Sequence, residues 1–135
     1  VLERVGDNVG VSLLGQLPHE SVIDWLRENE VDVFVNVSTT EGVPVSIMEA
    51  FSFGIPVIAT NVGGTREIVD DSCGVLLSAD FTSEELGEVL EGWDSTNQAL
   101  RYRALERQRG LYSSEKNQTA FATLIRDGIE KRRGE

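Results

Sequence analysis

Residues 41–67 read E-G-V-P-V-S-I-M-E-A-F-S-F-G-I-P-V-I-A-T-N-V-G-G-T-R-E, and this stretch decides the fold. Pro44 suits the first turn of a helix, because its missing N–H would have no partner there. The pattern predicts a helix over residues 44–53, ended by Gly54. Residues 56–60 are almost wholly apolar and predict a short buried strand.

Strand and helix patterns alternate on both sides of this stretch. The predicted strands are residues 11–15, 31–37, 56–60 and 74–78. The predicted helices are residues 21–29 (capped by Ser21), 44–53, 65–70 and 84–93 (capped by Thr82 or Ser83), followed by two C-terminal helices within 95–135, broken near 110–114. Short apolar strands separated by helices indicate an α/β, Rossmann-like parallel sheet with helices on both faces.

Three loops follow predicted strands and therefore open on one edge of the sheet. They carry Glu41, the turn Gly63-Gly64, and the pair Gln16-Leu17. Ligands of open parallel sheets bind outside the carboxyl ends of the strands. We therefore predict a ligand site at this edge.

The chemistry of the predicted site lies in two carboxylates and a helix end. Glu49 shares a narrow polar stripe with Ser46 and Ser52 on an otherwise apolar helix. A carboxylate there could accept two hydroxyl groups of a vicinal diol. The N–H groups of Val43, Val45 and Ser46, at the positive end of the helix, suit a phosphate or diphosphate. From spacing alone, two plainer interpretations stay open: Glu41 as a loop carboxylate and Glu49 as a surface residue.

Composition narrows the class of protein. The chain has 135 residues, a length that predicts one globular domain. Its formal net charge is -11, and an acidic protein is not expected to bind the negatively charged backbone of nucleic acid. Cys73 is the only cysteine, so no internal disulfide forms, and we expect it to be a packing residue. There is no run long enough for a membrane span, and no dinucleotide or P-loop signature. Because the sequence begins without Met, we interpret it as part of a longer protein.

Other polar and aromatic residues receive plainer predictions. His19 is the only histidine, which excludes a histidine-based metal cluster, and it is interpreted as a solvated turn residue. Trp25 and Trp93 are predicted to lie in the core. Arg66 could either steer a phosphate or pair with Asp70 four residues later.

The pattern E-G-V-P, then E-A-F-S-F-G-I-P-V-I-A-T, then G-G-T-R-E resembles the C-terminal domain of retaining GT-B glycosyltransferases of group 1 (family 4). The resemblance is strong over residues 38–69 and looser over 11–78. It implies a donor-binding domain for a nucleotide-sugar, UDP- or GDP-linked, with transfer to a glycan, a lipid or another acceptor. Synthesis of cell-surface polysaccharide or glycoconjugate is the expected setting.

The same resemblance implies roles for single residues. Glu49 would hold the ribose hydroxyls, and Glu41 would lie close to the donor sugar and the reacting centre. The remaining implied donor-binding positions line the sugar, the diphosphate, the base and the cleft floor: Gly42, Val43, Pro44, Val45, Gln16, Leu17, Gly63 and Gly64.

The resemblance also implies what lies elsewhere. Such enzymes need no metal ion or other cofactor, and their active site lies between two domains. We expect the N-terminal acceptor-binding domain, and a strand with its basic pair, to precede Val1. The 135-residue chain is then one C-terminal domain fragment, inactive alone. The expected location is the cytoplasm, with peripheral association at the inner face of the membrane as an option.

Two other functions stay open at this point. One is a non-catalytic nucleotide-sugar binding module, against which the presence of both glutamates argues. The other is a glycosidase using Glu41 and Glu49 as acid and nucleophile, for which retention of configuration requires carboxyl groups about 5–5.5 Å apart.

Overall fold

The computed structural model describes residues 9–42 and 44–112. In chain order the elements are α1 (His19–Glu28), β1 (Phe34–Asn36), α2 (Val45–Ser52), β2 (Val57–Thr60), α3 (Thr65–Ile68), β3 (Gly74–Leu77), α4 (Ser83–Glu91) and α5 (Gln98–Tyr112).

The three strands form one parallel sheet in the order β1-β2-β3. Phe34 is opposite Val57, and Val57 is opposite Gly74. Each strand is followed by a helix, which is the connection that parallel neighbours need. The predicted α/β class with a Rossmann-like parallel sheet is confirmed.

The predicted strand over residues 11–15 is wrong, because the structure has irregular backbone there. Leu13 is 77% exposed and Val11 is 48% exposed. A strand must exchange backbone hydrogen bonds with a neighbour, and within the described part of the chain β1 pairs only with β2. An apolar run without such a neighbour does not form a strand.

The core lies between one face of the sheet and α2. Ile47, Ala50 and Phe51 of α2 are fully buried, and they belong to one cluster with Val57 and Ala59 of β2. These α2 positions lie three and four residues apart, so they form one side of the helix. The opposite side of α2 is thereby left at the surface.

Both ends of α2 follow from its sequence. Pro44 is the N-cap residue, and its carbonyl accepts hydrogen bonds from the N–H groups of Ile47 and Met48. Gly54 has φ +68°, a left-handed conformation that glycine adopts without steric cost. A Cβ at Gly54 would also lie 3.2 Å from the Leu105 side chain, so this glycine lets α5 pack closely on α2.

Two arginines attach α5 to the rest of the domain. Arg101 donates to the carbonyl of Val31 at 2.8 Å and contacts Asp32 at 3.3 Å. Arg107 donates to the carbonyls of Ile68 and Glu67, each at 3.1 Å. The bonds of Arg107 occupy carbonyl groups at the C-terminal end of α3, where a cation is favourable.

Several predicted boundaries shift. Ser21 lies inside α1, which begins at His19 after the N-cap Pro18. Of the two proposed caps of α4, Thr82 is the one used, in a reciprocal pair with Glu85. The predicted break near 110–114 is wrong at Gly110, because α5 continues to Tyr112. The prediction for residues 113–135 lies outside the described residues.

The prediction that Trp25 lies in the core is wrong, since it is 39% exposed, whereas Trp93 is half-buried. Cys73 is fully buried as a packing residue, which confirms its interpretation. Within residues 9–42 and 44–112, no helix is long and apolar enough to cross a membrane.

Candidate functional site

The loop that carries Glu41 begins directly after β1 and is held by side chains of two strands. Asn36 accepts hydrogen bonds through Oδ1 from the Ser38 N–H at 3.2 Å and from the Ser38 hydroxyl at 2.7 Å. The hydroxyl of Thr60, at the end of β2, donates to the Ser38 carbonyl. These bonds fix the direction in which the chain leaves the sheet.

The Gly63-Gly64 turn packs against the backbone of the same loop. A Cβ at Gly63 would lie 1.7 Å from the Glu41 carbonyl oxygen, and one at Gly64 would lie 2.5 Å from the Gly42 oxygen. The N–H of Gly64 donates to the Gly42 carbonyl at 3.2 Å. Gly63 also has φ +53°. Any larger residue would push the Glu41 loop away, so the glycine pair sets the position of this loop.

The Glu41 side chain is half-buried and is held by Asn36, the last residue of β1. Asn36 donates through Nδ2 to Glu41 Oε1 at 3.2 Å, and the same amide lies 3.4 Å from the Ser46 hydroxyl. An open depression of about 450 Å³ adjoins this group and is lined by Phe34, Val35, Asn36, Val37, Ser38, Glu41 and Ser46. The site therefore offers a carboxylate and a hydroxyl to a polar ligand, while the Asn36 amide, whose two donors and two acceptor positions are all used, holds them in place.

The N-terminus of α2 lies beside this depression. Pro44 is buried and provides no side-chain cap. Among the described residues, no backbone acceptor takes the N–H groups of Val45 and Ser46. Val45 is 58% exposed. Two donors at the positive end of the helix are thus available to an anionic group. Val43, which was predicted to add a third, lies outside the described residues.

Glu49 lies on the exposed side of α2 with Ser46 and Ser52, as the polar stripe predicted. Its side chain is only 20% exposed, and Oε1 lies 2.5 Å from Nε2 of His19. The hydrogen bond that His19 donates to Glu49 and the negative charge of Glu49 raise the pKa of His19. His19 is exposed to solvent, as predicted, but it is not a turn residue, because it begins α1 and has a carboxylate partner.

The structure does not bring every predicted residue together. Gln16 and Leu17 are exposed in irregular backbone, and neither lines the depression beside Glu41. Glu41 and Glu49 share no hydrogen bond; their partners are Asn36 and His19. Whether Gln16 and Leu17 contact a base stays a prediction.

Arg66 does not pair with Asp70 in the described structure. The partner of Asp70 is Arg107, whose Nη1 lies 3.2 Å from Oδ2. Hydrogen bonds from the side chain and backbone of Ser72, followed by the charge of Arg107, lower the pKa of Asp70. Arg66 is exposed, and its proposed role near a phosphate stays a prediction.

A second cavity, of about 470 Å³, lies at the opposite edge of the sheet. Its walls are the end of α1, the residues before β1 and β2, and the start of α5, including Val31, Asp32 and Arg101. It is slightly larger than the depression beside Glu41. The hydrogen bonds of Arg101 to both neighbours nevertheless give these walls a structural role, so cavity size does not identify the site.

No group of three or more His, Cys, Asp or Glu side chains in the described ranges could hold a metal ion.

Sequence reasoning missed three residues of this region: Asn36, Thr60 and His19. Asn36 and Thr60 are polar residues at the carboxyl ends of β1 and β2, where ligands of open parallel sheets bind, and this position could have identified them. His19 lies thirty positions from Glu49, and nothing in the sequence relates the two.

Residues 1–92 match the family described as Glycosyl transferases group 1, and the chain belongs to that family. This agrees with the resemblance carried by the Glu41–Glu49 region and with the position of that region at the ligand edge of the sheet.

The curated relatives include glycosyltransferases that are named for different products. The amylovoran biosynthesis glycosyltransferase AmsK of Erwinia amylovora is 30% identical over 86 residues, which cover 59% of this chain and 21% of that protein. The phosphatidylinositol N-acetylglucosaminyltransferase GPI3 subunit of Saccharomyces cerevisiae is 30% identical over 96 residues, which cover 71% of this chain and 20% of that protein. The chain thus spans about a fifth of the length of these relatives.

Two solved structures share the fold. Sucrose-phosphate synthase from Thermosynechococcus elongatus superposes with a TM-score of 0.69 at 22% identity, covering 89% of this chain and 30% of that one. TarM superposes with a TM-score of 0.58 at 22% identity, and the match covers 75% of this chain and 21% of that one. The sheet and its helices therefore share the fold of a part of each of these two structures.

Proposed function

We propose that this chain is the donor-binding part of a retaining glycosyltransferase that uses a UDP- or GDP-linked sugar. The observation that carries the proposal is the convergence of Glu41, Asn36 and Ser46 beside the free N-terminus of α2. This arrangement combines acceptors for sugar hydroxyls with donors for a diphosphate.

The chemistry of transfer determines what each group would do. The bond between the anomeric carbon and the diphosphate oxygen breaks, a bond to an acceptor oxygen forms, and the proton of the acceptor hydroxyl passes to the departing diphosphate. Negative charge collects on the departing diphosphate. The N–H groups of Val45 and Ser46, aligned with the helix dipole, would stabilise that charge without a metal ion.

The two glutamates would act at different points of the donor. Glu49 would accept hydrogen bonds from the ribose hydroxyls, for which an ionised carboxylate has about four acceptor positions. Glu41 would lie against the donor sugar, held in place by Asn36 and by the backbone contact with Gly63. The Gly63-Gly64 turn would form the floor of the cleft.

The wider proposal concerns the whole protein. An acceptor-binding domain would complete the site, and the 135-residue chain would not transfer sugar alone. The acceptor would be a glycan or a lipid, a proposal supported by relatives named for amylovoran biosynthesis and for phosphatidylinositol glycosylation. We place the protein in the cytoplasm or at the inner face of the membrane.

The test measures donor binding and turnover separately in the full-length enzyme. Glu49→Ala should raise the Kd of the nucleotide-sugar about ten-fold or more, because hydrogen bonds to a charged group are lost. Glu41→Ala should lower kcat by about 100-fold with a smaller change in Kd. Glu88→Ala, on α4 away from the site, is the matched control and should change neither.

Unchanged donor affinity in Glu49→Ala would exclude its ribose role. Donor binding without any transfer in the wild-type enzyme would instead favour the non-catalytic binding module. Hydrolysis of a glycoside with no nucleotide present would contradict the transferase proposal.

A further inference from the structure

His19 and Glu49 form a contact between two helices that the sequence gives no reason to expect. His19 begins α1, Glu49 lies in the middle of α2, and Nε2 lies 2.5 Å from Oε1. We infer that His19 is a positioning residue for Glu49, which holds the carboxylate in the orientation that accepts the donor ribose. This inference rests on the proposed function of Glu49.

The burial of the two side chains is unequal in an informative way. Glu49 is 20% exposed, whereas His19 is 70% exposed. The histidine therefore approaches the carboxylate from the solvent side and closes one direction in which the long Glu49 side chain could turn. Fixing a glutamate rotamer before the ligand arrives removes an entropy cost from binding.

The contact leaves acceptor capacity for a ligand. His19 uses one acceptor position on Oε1, out of about four on the carboxylate. Within the described ranges His19 is the one side chain that bonds to this carboxylate, and the Ser52 hydroxyl donates to the Glu49 backbone carbonyl instead. Two ribose hydroxyls can therefore still be accommodated beside the histidine.

The charge of the pair matters because the ligand is anionic. The charged groups that face the His19 ring are Glu49 on α2 and Glu20 on α1, and both raise the pKa of His19, Glu49 more strongly. A protonated His19 would offset the negative charge of Glu49 near the diphosphate, in a chain of net charge -11. Because the pKa is raised, this benefit is complete at low pH and is lost as the pH rises through the raised value.

The first experiment measures the Kd of UDP and of GDP for the full-length enzyme between about pH 5.5 and 8.5, a range that brackets histidine titration. The terminal phosphate of the nucleotide titrates at about pH 6, so the variants are compared with the wild type at each pH. At the lowest pH, His19→Ala should bind about two- to five-fold more weakly than the wild type, the size expected for an exposed ion pair, and this difference should vanish at the highest pH. His19→Gln keeps a donor but no charge, so its Kd at the lowest pH should lie between the other two.

Two controls separate positioning from general damage. Glu28→Gln, at the other end of α1, should keep the wild-type profile. In turnover assays, His19→Ala should raise the donor KM while kcat stays within about two-fold. A fall in kcat at unchanged KM, or a wild-type pH profile in His19→Ala, would overturn the inference.

A second measurement does not depend on any ligand. The NMR signal of the His19 ring is assigned by its loss in His19→Gln, and its pKa is measured in the wild type and in Glu49→Gln. The pKa should be lower in Glu49→Gln, and an unchanged value would exclude the pair. Failure of the wild type to bind UDP and GDP would remove the proposed function and this inference with it. Binding that is indifferent to His19 would remove the inference alone.

Discussion

The two edges of the sheet carry cavities of similar size but use their polar groups differently. At the amino edge, a cavity of about 470 Å³ is lined by the end of α1, the start of α5 and the residues before β1 and β2, and Arg101 bonds to Val31 and Asp32. At the carboxyl edge, Glu41 and Ser46 line an open depression of about 450 Å³. The side-chain amide of Asn36 contacts both of them. At the amino edge the polar groups join α5 to the residues before β1, whereas at the carboxyl edge they are open to a ligand.

This difference between the two edges shows that the hydrogen-bond partners of the lining side chains indicate function better than the volume of the cavity does. Arg101 uses its Nη2 group to join α5 to the Val31 carbonyl and the Asp32 carboxylate, so its contacts serve the fold. A glutamate held by one amide retains most of its acceptor positions. Substitutions at the amino edge should therefore change stability alone, whereas those at the carboxyl edge should change ligand binding.

The largest expected effect is that of Gly63→Ala at the carboxyl edge. The added Cβ would lie 1.7 Å from the Glu41 carbonyl oxygen, at a residue with φ +53°. Displacement of the Glu41 loop and the strained backbone should together lower the free energy of unfolding by about 3 kcal/mol and abolish donor binding. Urea denaturation and donor titration provide the two measurements.

Gly87→Ala is the matched control for this substitution. Gly87 lies in α4 with nothing within 4 Å of an added Cβ, so alanine should stabilise the helix by up to about 1 kcal/mol. If Gly63→Ala proved as harmless as Gly87→Ala, the contact between the turn and the loop would not position Glu41.

A smaller effect, confined to stability, is expected from Arg101→Ala at the amino edge. The substitution leaves the Val31 carbonyl without its side-chain donor and separates α5 from the start of β1. The free energy of unfolding should fall by about 1–2 kcal/mol, while the donor Kd stays unchanged. Arg103→Ala, on an exposed position of the same helix, should alter neither quantity. Loss of donor affinity in Arg101→Ala would mean that the amino edge takes part in the site.

The smallest effect is the pH dependence associated with Asp70. Hydrogen bonds from Ser72 and the charge of Arg107 lower its pKa below the usual value of 3.8. Its ionised form therefore stabilises the fold above pH 3.8, and this contribution is lost as the pH falls through the lowered pKa. Asp70→Asn should cost less than about 1 kcal/mol at neutral pH, because the side chain is 47% exposed.

Chemical denaturation of Asp70→Asn at about pH 7 and about pH 3 checks this prediction, with Asp71→Asn as the exposed neighbour for comparison. The difference between wild type and Asp70→Asn should shrink at the lower pH. A difference that grew on acidification would give the opposite sign and exclude the proposed cause.

Residues 44–77 show how far local chemistry carries a prediction. Pro44 and Gly54 bound α2 as expected, since a missing N–H and a positive φ are properties of single residues. Residues 11–15 show the limit, because their apolar pattern does not form a strand in the described structure. A strand depends on hydrogen bonds to another segment, and a local pattern carries no information about whether that neighbour is present.

The site divides in the same way. The sequence by itself determined that the Glu41 loop lies at the carboxyl edge of a parallel sheet and that Glu49 lies on the polar stripe of the helix that follows, because strand and helix periodicity fixes which loops share an edge and which residues share a helix side. Only the tertiary structure decided that Gly63 sets the position of the Glu41 loop, that Asn36 holds the Glu41 carboxylate, and that His19 pairs with Glu49. Contacts between segments distant along the chain depend on how the elements pack, and periodicity within each element does not specify that packing.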